Sequence, residues 1–264
     1  MKRREFLTST VAAAGVGTLL GAVNAKAGDG DVSTGREFYE LRLYHLRRGP
    51  KTELFDRFYR EAAIPAYNRA GIKKVGVFNL AVGPDTPTMY VLLTHDSLES
   101  LGKMSDRLAE DAEYQKAGAE FIKAPATDPS YIREESSLMI AFRGMAKLEA
   151  PASKNRLFEL RTYESHSKKA NRKKIEMFEQ GEISLFRRHG VQPVFFGETL
   201  IGTHMPNLTY MVVFENQEAH DKNWSAFASD PDWKSLSHTP GYTDAEIVCN
   251  ISNVFLRPAA YSQI

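Results

Sequence analysis

Phe38-Tyr39-Glu40-Leu41-Arg42-Leu43-Tyr44 comes back 119 residues later as Leu157-Phe158-Glu159-Leu160-Arg161-Thr162-Tyr163. In the first copy Tyr39, Leu41 and Leu43 point one way, and Glu40, Arg42 and Tyr44 the other. That period of two marks a strand with one oily face and one mixed face. The offset holds far beyond the strand, relating Tyr67 to Phe186, Gly71 to Gly190, Asp111 to Asp230 and Tyr114 to Trp233. Aromatic, glycine and acid recurring at one spacing make the chain a duplication.

Outward from the first copy, the pattern predicts a strand over 37–45. Gly49-Pro50 then opens a helix, since proline is tolerated in a first turn. Leu54, Phe58, Ala62 and Tyr67 share one face of that helix, Pro65 is set to bend it, and Gly71 is placed to end it in a left-handed cap. A strand over 75–82, turn chemistry in Gly83-Pro84-Asp85-Thr86-Pro87 and a strand over 89–94 follow. A helical region over 97–124, in two pieces, and a strand over 138–142 complete a β-α-β-β-α-β order. The order then restarts, with a strand over 157–164, a helix over 169–188 stopped by Gly190, and a hairpin pairing 194–200 with 209–214. A helical region over 217–236 and a strand over 245–256 close it. The repeats are therefore 36–143 and 156–258, with a connector over 144–155 and a tail over 259–264.

The N-terminus reads as an address. Arg3 and Arg4 are followed by Phe6 and Leu7, a Gly- and Ala-diluted apolar run over 11–23, and small residues at Ala25 and Ala27. This resembles a twin-arginine (Tat) export signal over 1–27, followed by a polar linker over 28–35. Thirteen apolar residues are fewer than the ~20 of a spanning helix, which favours cleavage and a periplasmic or exported product. Residues 1–27 hold four basic and one acidic residue, leaving 30 basic and 32 acidic. A net charge near −2 gives no general pull toward nucleic acid. No later stretch is apolar enough to span a bilayer. Cys249 is the only cysteine, so no intrachain disulfide forms; in a segment that reads as a strand, it is expected to be buried and inert.

The Tyr-Glu-Leu-Arg-x-Tyr opening, a helix ending in Arg-x-Gly and an Asp-x-x-aromatic after the hairpin resemble the NIPSNAP family, over nearly all of 36–258. The resemblance implies an α+β fold of the dimeric α+β-barrel, ferredoxin-like superfamily. Two tandem ferredoxin-like repeats would form an intramolecular barrel, each a four-stranded antiparallel sheet with helices on one face, the two sheets packed face to face. It implies little mechanism, because the family has no agreed catalytic residue set. The superfamily includes cofactor-independent monooxygenases, haem-degrading and haem-binding proteins and muconolactone isomerases, a likeness at the level of fold alone.

In that barrel Tyr39, Leu41 and Leu43 are expected to pack on the helices, so Glu40, Arg42, Tyr44, Glu159, Arg161 and Tyr163 would face the space between the sheets. Such a set could hold an anionic ligand. The reading favoured here is structural: Glu and Arg from the two copies pair where the copies meet, since lone buried charges are costly. Tyr114, His220, Trp224 and Trp233 are candidates to line a pocket between sheet and helices, although aromatic anchors fill such space equally well. Lys168, Lys169, Arg172, Lys173 and Lys174 read as a solvated helix face, paired with Glu164, Glu176 and Glu179. No metal-binding spacing, nucleotide loop or nucleophile elbow occurs. No cofactor is predicted; one histidine suffices for haem, which keeps a haem-binding protein as a third reading. The leading expectation is an exported protein that binds a small organic molecule, with cofactor-free oxygenase- or isomerase-like chemistry. The rival is a non-catalytic interaction or structural module, and further oligomerisation is compatible with either.

Overall fold

The computed structural model describes residues 35–152 and 156–264. The export signal, including Arg3, Arg4, Phe6, Leu7, Ala25 and Ala27, lies outside the described residues, as does all of the linker but Gly35.

Eight strands pair antiparallel into a closed barrel: β1 (Phe38–His45), β2 (Val75–Val82), β3 (Thr88–His95), β4 (Arg133–Ala141), β5 (Leu157–Glu164), β6 (Gln192–Ile201), β7 (Asn207–Phe214) and β8 (Asn250–Pro258). Their order around the barrel is β1-β3-β2-β8-β5-β7-β6-β4. Each repeat thus supplies a ferredoxin-like sheet, β4-β1-β3-β2 from the first and β8-β5-β7-β6 from the second. The two sheets face each other across the core, but they are also joined at both edges. Phe78 lies opposite Pro258 at one seam and Met139 opposite Thr199 at the other. This corrects the expectation that β1 and β5 meet. Each is flanked by strands of its own repeat, and they stand on opposite walls.

The faces of β1 and β5 are also reversed from expectation. Tyr39, Leu41, Phe158 and Leu160 are buried inside the barrel with Phe78, Leu92, Met139, Phe195, Met211 and Leu256. An eight-stranded barrel has an interior just wide enough to be filled by side chains, so the more apolar face goes there. The Glu/Arg/Tyr face turns outward under the helices, where charged groups find polar partners and, at the margin, water.

The roof over the first repeat is α1 (Pro50–Phe58), a π-helical turn Tyr59–Ala63 and α2 (Ile64–Arg69). It continues in α3 (Leu98–Gly102), α4 (Met104–Glu110), α5 (Ala112–Ala117) and α6 (Ala119–Ile122), four pieces where two were expected. The second repeat has α7 (Lys168–Met177), a π-helical turn Phe178–Glu182, α8 (Ile183–Arg188), α9 (Gln217–Ser229) and α10 (Pro231–Ser237). The two π-turns fall 119 residues apart, and the residue matching Pro65 is Ser184, so proline is not their cause. Gly71 and Gly190 end their helices at φ +100° and +73°, the left-handed cap the sequence predicts.

The repeated Arg-x-Gly and Asp-x-x-aromatic motifs belong to one joint. Asp111 caps α5 by accepting from the Tyr114 amide, and Arg69 donates to it at 2.7 Å. Asp230 caps α10 through the Asp232 amide, and Arg188 donates to it at 3.0 Å. Each pair locks the end of one roof helix to the start of another, which is an architectural role.

Residues 245–249 do not form the expected strand. Thr243 and Glu246 make a capping box that opens α11 (Asp244–Ile247), and β8 begins only at Asn250. Cys249 is consequently exposed, not buried.

One end of the barrel has a floor. Residues 259–264 fold back on β2, where the Ala259 and Gln263 amides donate to the carbonyls of Val77 and Val75 at 2.9 Å. Ile264 joins the interior core, in space left by Gly76, where a Cβ would lie 3.0 Å from the Ile264 Cδ1. The other end is open.

Candidate functional site

Glu40 and Glu159 are the centres of two outward-facing clusters. Arg42 binds Glu40 in a bidentate fork (Nε–Oε1 2.7 Å, Nη2–Oε2 2.9 Å), and its Nη1 donates to the Tyr67 hydroxyl at 3.0 Å. Ser136 Oγ donates to Glu40 Oε1 at 3.1 Å, and His95 Nε2 lies 3.5 Å from Oε2. Burial pushes the Glu40 carboxyl up, but hydrogen bonds from His95 and Arg42 outweigh it and hold the group down at about 2. In the second repeat the fully buried Glu159 accepts from Arg161 at 2.7 Å, Trp224 Nε1 at 2.9 Å and Asn253 at 2.8 Å, with His220 Nε2 at 3.3 Å. Tyr44 packs on Phe55 and Tyr59; Tyr163 takes a bond from Arg161 at 3.3 Å and one from Tyr210 at 3.1 Å. The two clusters sit on opposite walls, so the structure does not bring them together. Each is nearly satisfied by its own repeat, as a structural ion pair should be.

The four aromatic candidates do lie between sheet and helices, but they pack there. Tyr114 meets Phe58, Trp224 meets Phe186, Trp233 meets Phe227, and His220 meets Phe214 and Phe255 at ring-centroid distances of 4.5–5.8 Å. None of them lines the cavity described below.

Sequence reading missed a buried ion pair. Lys168, Lys169 and Arg172 are exposed as expected, but Lys174 is buried, its Nζ 3.1 Å from the equally buried Glu182. Tyr163, Phe178 and Trp233 present ring faces to the ammonium at 5.0–5.6 Å. Burial pushes the Glu182 carboxyl up against the pull of Lys174. The π-turn makes the contact: one extra residue in the helix brings positions eight apart to roughly the angular spacing of i and i+7, back on one face.

The cavity lies inside the barrel, at its open end, with a volume of about 380 Å³. On its first-repeat side Leu41, Leu43, Tyr90 and Met139 stand beside the polar Glu135, Ser136 and Ser137. Its second-repeat side carries the hydroxyls and amides of Thr162, Thr199, Thr209, Ser252, Asn207 and Asn253 with the apolar Leu160 and Val254. Asymmetry between the copies creates the space. Thr162 stands where the first repeat has Leu43 and Thr209 where it has Tyr90; the room that Gly197 leaves in place of Phe78 is filled by Met139. The threonines bond each other at 2.9 Å, and Thr199 donates to Asn207 at 2.5 Å. The Tyr90 hydroxyl, in contrast, has no protein partner among the described residues; burial and the charges of Glu135 and Asp85 push it up to about 12. It is a protonated donor at neutral pH. Comparing the two copies position by position at Leu43/Thr162 and Tyr90/Thr209 would have flagged this site.

His204, which lines the cavity, sits on its rim in a turn, while His95 and His220 are turned onto Glu40 and Glu159. Among the described residues no group of three His, Cys, Asp or Glu side chains is placed to hold a metal ion, and no helix is long and apolar enough to cross a membrane.

A family model described as NIPSNAP matches residues 39–140 and again 158–263. Among solved structures, a candidate monooxygenase from Lactobacillus acidophilus NCFM aligns at a TM-score of 0.54 and 10% identity, covering 87% of this chain and 98% of its own. A candidate chlorite dismutase aligns at 0.51 and 12%, covering 86% and 96%. A NIPSNAP-like domain protein from Burkholderia xenovorans aligns at 0.37 and 18%, covering 42% of this chain and 90% of its own. At these identities the first two establish shared architecture, across both repeats. No curated protein matches the chain.

Proposed function

This chain belongs to the NIPSNAP family in both of its halves, and from that premise we propose that it binds a small organic molecule in the open end of its barrel. One observation carries the reading: a cavity of about 380 Å³, in the size range of ligand sites, lined by apolar side chains (Leu41, Leu43, Met139, Leu160, Val254) among hydroxyls and amides, with the unpartnered Tyr90 donor. The fitting ligand has a flat or compact apolar body and an acceptor oxygen, a carbonyl or phenolate, for Tyr90. A phenol held protonated beside such an oxygen would stabilise negative charge developing on it. Cofactor-free oxygenase- and isomerase-like reactions both pass through such charge.

The test copies the first repeat into the second. Thr162→Leu with Thr209→Tyr fills the cavity with side chains the other wall already accommodates. A thermal-shift screen of phenols, quinones and cyclic ketones should find a compound that raises the wild-type Tm by about 5–10 °C at a hundred times its Kd. The double variant should fold and lose that shift. A variant that still binds removes the cavity from the reading; a screen without any hit favours the non-catalytic module.

Export by the twin-arginine route, read from residues 1–27, belongs to the same proposal. Arg3→Lys with Arg4→Lys should abolish the exported fraction on cell fractionation, and unchanged export would refute the route.

A further inference from the structure

Outside the barrel, over the seam between β2 and β8, lies a second recess of about 530 Å³. Register gives it two ends of different chemistry. Val82 stands opposite Phe255 at one end, and Asn79 opposite Arg257 at the other. Phe255 and Arg257 are two residues apart on β8, hence on one face and about 7 Å from each other. The pairing of β5 with β8 and β7 brings Arg156 and Glu215 to the Arg257 end.

Neither arginine has a carboxylate partner. Arg257 makes no hydrogen bond or ion pair among the described residues. Arg156 reaches only the Gln192 amide oxygen, at 3.5 Å, and its Nε is shut off from solvent with no hydrogen bond. Repeat architecture does not account for them. The arginines that hold the fold recur at the 119-residue offset, Arg42 as Arg161 and Arg69 as Arg188, whereas Arg156 and Arg257 correspond to Glu37 and Leu138. Glu37 is itself occupied, accepting from the Leu148 amide at 2.7 Å. Glu215 shares the recess with the two arginines and pairs with neither, which leaves an excess of one positive charge. The N-terminal end of α9, which begins at the recess, adds to that potential.

We propose that this recess binds a small carboxylate with an apolar body, the carboxylate on Arg156 and Arg257 and the body between Val82 and Phe255. Guanidinium groups match the planar carboxylate, and the spacing along β8 suits an acid group set a few carbons from a ring. The apolar end selects such an acid over an inorganic anion. The site lies outside the barrel and does not rest on the barrel cavity.

Calorimetric titration of the full chain with 3-phenylpropionate tests it, with 3-phenylpropionamide and inorganic phosphate as the two partial mimics. The acid should bind with a Kd of about 1 mM or tighter, and each mimic at least tenfold more weakly. Arg257→Gln, an exposed position that the fold does not use, and Arg156→Gln should each weaken the acid at least tenfold. Glu215→Gln, which removes the opposing charge, should bind it more tightly. Arg187→Gln, whose arginine pairs with Glu149 elsewhere on the surface, should leave it unchanged. The cavity-filled Thr162→Leu/Thr209→Tyr variant should also bind as wild type does, which separates this site from the one inside the barrel. No binding of the acid overturns the proposal, as does wild-type affinity in Arg257→Gln. Equal binding of the amide would remove the arginines from the contact, and equal binding of phosphate would remove the apolar end.

Discussion

Lys174→Met is expected to lower the stability of the fold by about 3–5 kcal/mol, the usual cost of breaking a buried ion pair from one side. The loss comes from Glu182, 2% exposed, which would keep a buried carboxyl with no cation. The duplication supplies the control. At the matching positions the first repeat has Phe55 and Ala63, both buried in its apolar core. Lys174→Phe with Glu182→Ala should therefore recover most of the loss, because the same architecture already closes over those residues. Urea unfolding of the three proteins decides it. If the single variant is no worse than the double, the pair is not the electrostatic unit its geometry describes.

Acid should reveal Glu40. Its carboxyl is held at about 2 in the folded protein, against an ordinary value near 4.3. The folded pKa is depressed, so the unfolded chain takes up the proton first. The stabilisation is full above about pH 4.5 and disappears as pH falls through 2. At 1.36 kcal/mol per unit this is about 3 kcal/mol. Glu40→Gln should be less stable than wild type at pH 6, and the two should converge between pH 4.5 and 2. Parallel curves across that window would show that the Arg42 fork and His95 do not hold the carboxyl as described. Asp230, held at about 2 by His189 with burial opposing, titrates in the same window in both proteins and cancels from the comparison.

Much of this fold is legible in the sequence. The 119-residue offset, the strand alternation and the glycine caps specify two β-α-β-β-α-β repeats, the family resemblance implies their ferredoxin-like sheets, and the closed barrel carries both. What alternation cannot specify is which side of a strand faces inward when both sides are covered. Tyr39, Leu41 and Leu43 are apolar and Tyr44 is buried as well, so the choice depends on closure, a property of all eight strands. The Lys174–Glu182 pair escaped for a local reason: its members lie eight residues apart, and the π-turn between them draws them into closer alignment than a regular helix would. The cavity escaped because it is made by what the second copy lacks. Thr162 and Thr209 become informative only when set against Leu43 and Tyr90.

The two seams have a consequence for synthesis. β4 is complete about fifty residues before β6 begins, and β8, the partner of β2, is the last strand made. Until then the first repeat has the unpaired edges of β2 and β4, each a template for the wrong partner. Low-contact intermediates of this kind are where chains of this size exchange halves or aggregate. A nascent chain halted after residue 143 should therefore self-associate, while release of the last strand should dissolve that state by offering both edges their partner within the same molecule.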